Sequence, residues 1–122
     1  MKSMLLLALV PAAMLLIAPT RASAQTIEAC QTDVASLTTL TESTVFLGDK
    51  GLFFQTKLLF HLSKATDALA AGDARDALHQ LRDYQRDLGN ATDNAVISAV
   101  DAAALQAGAD VVIACLQAVL KP

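Results

Sequence analysis

The amino-acid sequence predicts an all-α fold, an antiparallel up-and-down four-helix bundle closed by one disulfide. Three observations predict it. Beyond residue 24 the chain is rich in alanine and holds a single proline, at its last position, so nothing in its interior bars helix. Apolar residues recur at spacings of three and four in four successive segments. Two cysteines, Cys30 and Cys115, stand in the first and last of those segments, which such a bundle brings side by side at one end.

Residues 1–24 read as a secretory signal and are set apart from the fold. Lys2 supplies the positive start, 4–18 the apolar run, and Ala22-Ser23-Ala24 the cleavage site. Pro11 and Pro19 interrupt the run, which argues against a retained anchor. Cys30 follows Ile27-Glu28-Ala29, a charged context that does not suit lipid attachment. The expected mature chain, 25–122, is one domain. The short start and the A-x-A site look bacterial, so the expected location is the periplasm or the exterior. No transmembrane segment is expected after signal removal, since the apolar stretch 111–120 has ten residues and includes Gln117.

The first predicted helix covers 27–46, with Cys30, Val34, Leu37, Leu40 or Thr41, and Val45 on one stripe. Gly48-Asp49-Lys50-Gly51 is expected to break the chain. The second covers 52–71 with Leu58, Leu62, Ala65 and Leu69 inward, and Leu52, Phe53, Phe54, Leu59 and Phe60 widening that stripe. Gly72 suits the residue after a helix, and Asp73 with Asp76 suits the start of the next. The third helix turns Ala77, Leu81, Tyr84 and Leu88 inward, and Gly89 ends it. After a polar connection over 90–97, Ser98 with Asp101 caps a fourth helix over 99–120. Its expected stripe is Val100, Ala104, Ala107, Val111, Cys115 and Ala118, with Gly108 marking a close helix crossing.

In an oxidising compartment the isolated pair Cys30 and Cys115 reads as a structural disulfide rather than a reactive or metal-bound thiol, for there is no C-x-x-C and no histidine nearby. Residues 25–122 hold seven Lys or Arg against twelve Asp or Glu, a net charge of −5 that argues against nucleic acid as a partner.

Residues 58–116 resemble the FIMAH domain, a small helical module of secreted bacterial proteins. The resemblance is carried by Leu58-x-x-x-Leu62-x-x-Ala65, Leu69-x-x-Gly72-Asp73, Ala77-x-x-x-Leu81-x-x-Tyr84, Ile97-Ser98 and Leu105-x-x-x-Ala109-x-x-Val112-Ile113. The signal and the cysteine pair stand outside that pattern. The resemblance implies a module that binds or bridges, of the kind found at the ends of large extracellular enzymes and surface proteins, with no catalytic residues assigned.

The residues themselves point the same way. His61 and His79 lie on neighbouring predicted helices, and His79 with Asp83 and Asp76 forms a partial ligand set, but no Glu-x-x-His pair or Cys/His cluster accompanies them. No haem motif, no phosphate loop and no Ser/His/Asp spacing is present. No catalytic, cofactor-binding or metal-ligating residue is therefore assigned. The expected function is that of an exported, non-catalytic binding module whose partner is a protein or an extracellular polymer. The candidate partner-facing surface is Arg75, Arg82 and Arg86 with Phe53 and Phe54. The alternatives are a small exported helical-bundle enzyme, a metal- or cofactor-binding protein, and an inhibitor-like protein that docks on a secreted enzyme. The alternating charges Arg75, Asp76, Arg82, Asp83, Arg86 and Asp87 read first as a solvated helix face. Asn90-Ala91-Thr92 matches a glycosylation sequon, which the bacterial-looking signal makes accidental.

Overall fold

A computed structural model describes residues 26–121. The export signal and its Ala22-Ser23-Ala24 site lie outside the described residues. Four helices follow in order: α1 (Ile27–Ser43), α2 (Gly48–Ala70), α3 (Ala74–Asp93) and α4 (Ala99–Leu120), and no strand occurs among the described residues. Each helix packs on its chain neighbours, and α1 closes the ring against α4. This is the up-and-down bundle that the spacing predicts. Cys30 and Cys115 form the disulfide, with Cα atoms 5.6 Å apart and a sequence separation of 85.

The starts of the helices are chemically explicit. Thr26, Asp73 and Ser98 each accept a hydrogen bond from a first-turn backbone N–H, those of Ala29, Asp76 and Asp101, at 3.0–3.1 Å. Between α2 and α3, Gly72 adopts φ +78, a left-handed conformation that side chains resist. It allows Asp73 N–H to reach Ala68 O at 2.8 Å and Gly72 N–H to reach Leu69 O at 3.0 Å, which satisfies two carbonyls at the end of α2.

The boundaries differ from expectation in three places. α1 ends at Ser43, not at 46. The Ser43 and Thr44 hydroxyls both donate to Leu40 O, and Gln55 Nε2 from α2 reaches the carbonyls of Thr41, Glu42 and Thr44 at 3.2–3.4 Å. The last turn is thus capped from outside, and Val45 is left exposed. Gly48-Asp49-Lys50-Gly51 is the first turn of α2 rather than a break, because Leu47 N–H bonds Val96 O at 2.9 Å and pins the entry to the α3–α4 loop. α3 continues through Gly89 to Asp93, since one exposed glycine costs a helix only about 1 kcal/mol and Ala91 beyond it is fully buried.

The core is formed by Val34 and Leu37 of α1, Leu58, Leu62 and Leu69 of α2, Leu81, Tyr84 and Leu88 of α3, and Leu105, Val112 and Leu116 of α4. The inward face of α4 is the largest correction. Of the expected stripe only Cys115 is buried, while Val100, Ala104, Ala107, Val111 and Ala118 face outward. At about 100° per residue, the true seam of Ala102, Leu105, Ala109, Val112 and Leu116 lies roughly a third of a turn away. α4 is apolar on nearly every side, so spacing alone did not mark its core face; side-chain bulk decides it. By length and composition alone α4 is also apolar enough to cross a membrane, a test that the core helix of a bundle passes as well. Gly108 does mark a close approach, for a Cβ placed there would stand 2.8 Å from Leu37 Cδ1 of α1.

Candidate functional site

Two buried polar groups sit where α3 meets its neighbours. Tyr84 and Thr41 are both fully buried, and their oxygens lie 2.8 Å apart. Thr41 Oγ1 donates back to Leu37 O at 2.8 Å, so the tyrosine hydroxyl is the donor to threonine. Burial pushes the Tyr84 phenol up to about 12.

The second group joins α2 to α3. His61 Nε2 lies 2.6 Å from Asp87 Oδ2, and the other ring nitrogen lies 3.2 Å from Gln80 Oε1. The Gln80 amide can present either its oxygen or its NH₂, so the ring keeps both bonds in either protonation state. Asp87 is almost wholly buried. Its second oxygen faces Lys57 Nζ at 3.6 Å and Arg86 Nε at 3.9 Å. Asp87 therefore does not belong to the solvated face where sequence spacing put it. It shares the inward flank of α3 with Tyr84, three residues earlier, and that register was the available signal.

The two histidines are not paired. His61 is buried against Asp87, whereas His79 is exposed and lies 3.5 Å from Asp83. Among the described residues no group of three or more His, Cys, Asp or Glu side chains is placed to hold a metal ion.

The expected contact surface divides. Phe54 is buried, 8% exposed, and meets Phe53 edge-on at 5.6 Å, so it belongs to the core and not to the surface. Phe53, in contrast, is 60% exposed, and Phe60 is 55% exposed. Both lie on the outward face of α2 with Lys57 and Lys64 interleaved. Lys57 Nζ sits 5.8 Å from the Phe53 ring centre, and Lys64 Nζ sits 5.4 Å from that of Phe60. Each pair is a cation over an aromatic face. The resulting Phe-Lys-Phe-Lys ridge follows positions 53, 57, 60 and 64, a spacing that stays on one side of a helix. Sequence reasoning assigned Phe60 to the core and missed the ridge, although its alternation of rings and cations is legible at that spacing.

Arg75, Arg82 and Arg86 line the outward face of α3. Arg86 is held by Asp83 at 3.0 Å and leans toward Asp87, where the arginine row meets the ridge. Arg75 and Arg82 make no ion pair among the described residues. On the far side, an open apolar groove of about 220 Å³ runs between α1 and α4, lined by Asp33, Ser36, Leu37, Leu40, Gly108 and Val111.

The family model that describes the FIMAH domain matches residues 48–114, which take in α2, α3 and most of α4. No curated protein and no solved structure matches the chain.

Proposed function

The chain belongs to the FIMAH domain family, and from that membership we propose that it is an exported, non-catalytic binding module whose contact surface is the Phe53-Lys57-Phe60-Lys64 ridge together with the arginine row of α3. One observation carries this reading: two phenylalanines that would add to the core if turned inward are instead held outward, each beneath a lysine. Exposed aromatic side chains supply rigid apolar area, and adjacent cations supply orientation, the combination that contact surfaces use. The non-catalytic reading draws support from the buried polar groups. His61, Asp87, Tyr84 and Thr41 are bonded to one another and to backbone, in helix–helix contacts, so their positions serve packing.

Export completes the proposal. The signal features of residues 1–24 and the Cys30–Cys115 bond support a periplasmic or extracellular location, where a disulfide persists. The partner is a protein or polymer of that compartment. The test is co-sedimentation of the oxidised protein with wall material and extracellular polymer of the producing cell, beside the Phe53→Ser/Phe60→Ser double variant. The wild type is expected in the pellet, with the double variant retained at least tenfold less. Equal retention of the two proteins, or retention of neither, would overturn the assignment. Mass spectrometry of the recovered protein is expected to find a chain starting at Gln25 and lighter by two hydrogens than its reduced form.

A further inference from the structure

We propose that the ridge also recognises a second copy of this chain: Phe60 of one copy enters the α1–α4 groove of the next, and Lys64 pairs with Asp33 at the groove's rim. This inference rests on reading the ridge as a contact surface and adds a partner to it.

Shape supports the fit. A cavity of about 150 Å³ accommodates a benzene ring, and the groove offers about 220 Å³. Its lining is what a phenyl ring would meet: Leu37 at the floor, Leu40 and the 56% exposed Val111 at the sides, and no side chain at Gly108. Charge supports it independently. Of the seven Lys and Arg residues in 26–122, six lie on α2 and α3. α1 and α4 carry Glu28, Asp33, Glu42, Asp101 and Asp110 and no cation of their own. Asp33 is the charged residue that lines the groove, so the ridge brings positive charge to an acidic rim on two helices that carry no cation. Lys64 and Asp33 have the further property that neither makes an ion pair among the described residues, so docking disrupts no existing pair. Lys64 already lies over the Phe60 ring, and the two travel together as one apolar knob with a cation at its edge.

The ridge lies on α2, while the groove opens between α1 and α4, across the ring from the α2–α3 seam. One copy cannot fill its own groove. The contact uses different patches on the two partners, so each added copy leaves a free knob at one end and a free groove at the other, and the assembly extends or closes into a ring.

Sedimentation velocity of the oxidised protein over a range of concentrations tests this. The wild-type mass is expected to rise with concentration and to fall back as salt is added. Phe60→Ser removes the knob, and Val111→Glu blocks the groove; both positions are exposed, and circular dichroism is expected to show both variants fully helical. Each variant alone is expected to associate at least tenfold more weakly than the wild type. Mixed together, they retain one good knob and one good groove, and are expected to form a heterodimer that stops at two. Asp33→Lys and Lys64→Glu are each expected to weaken association, and their combination in one chain to restore it. A wild type that stays monomeric, a mixture that stays monomeric, or a combined charge exchange that fails to restore association would each overturn the proposal. If association fails while Phe53→Ser/Phe60→Ser still abolishes retention on cell material, self-recognition falls and the binding-module reading stands.

Discussion

The two helix pairs α2–α3 and α1–α4 are joined by different chemistry. Between α2 and α3 the contact is polar at its centre: His61 bonds both Asp87 and Gln80, and Lys57 and Arg86 approach Asp87. Between α1 and α4 there is a disulfide, a glycine that admits Leu37, and alanine. The first contact specifies partners through geometry. The second relies on closeness and a covalent bond. The difference follows from what each helix can bury. α2 and α3 each turn at least seven side chains inward, whereas α1 buries four, one of them the polar Thr41 and one the cysteine itself. The family match begins at residue 48 and so leaves out α1, the helix that depends most on the staple.

The sharpest way to break this contrast is to remove the sulfur bond. Cys30→Ser with Cys115→Ser is expected to cost about 4.5 kcal/mol in urea unfolding, the chain-entropy value for a loop of this length. Hydrogen exchange should show α1 opening before α2 and α3. If all four helices open together, the two contacts are not distinct in strength.

Next is the polar contact. Asp87→Ala leaves His61 and Lys57 facing a buried vacancy and is expected to destabilise by about 3 kcal/mol, read by the same unfolding experiment. Asp87→Asn keeps an acceptor and should lose less.

A third effect concerns α1 and α3 together. Tyr84 is the chain's only tyrosine, so its ionisation is visible directly in the ultraviolet. Its folded pKa of about 12 lies above the unfolded value near 10, so the folded state holds its proton where the unfolded chain has released it. The stability this contributes is complete below pH 10 and is lost as pH rises toward 12, by roughly 2 kcal/mol. Tyr84→Phe should flatten that alkaline decline.

The smallest effect separates two glycines. At Gly89 an added Cβ meets nothing within 4 Å, and Gly89→Ala is expected to stabilise α3 by about 0.5–1 kcal/mol. Gly108→Ala gains the same propensity but drives Leu37 aside, and is expected to raise stability not at all or to lower it by about 1 kcal/mol. Thermal unfolding of the two variants side by side reads the difference.

Where a single property decided the outcome, it was legible in the sequence. The caps Asp73 and Ser98 and the turn at Gly72 are local chemistry, and the cysteine pair left one pairing to make; the structure has them where the residues imply. The inward face of α3 followed because its polar and apolar sides contrast, and the Leu58-Leu62-Ala65-Leu69 seam of α2 followed too, but the α2 stripe was drawn too wide, since Leu52, Phe53 and Phe60 are exposed. α4 offers no such contrast, so its core face was misplaced. The ends of α1 and the start of α2 depend on Gln55 and on the Leu47–Val96 bond, contacts between residues far apart in sequence. The same holds for the candidate site. The apolar run at the start of α2 is too wide for one stripe, which marked Phe53 and Phe54 jointly as surface candidates without separating the exposed ring from the buried one, and the pairing of His61 with Asp87 spans 26 positions and has no local signature.

The order of the two sulfurs along the chain has a bearing on how the molecule is made. Cys30 belongs to α1 and Cys115 to α4, so during synthesis the earlier thiol stays unmatched until the chain has been made as far as α4. A product cut short anywhere upstream of Cys115 keeps that lone thiol, open to capture by a thiol-disulfide exchange catalyst. The bond thus reports that synthesis has passed Cys115.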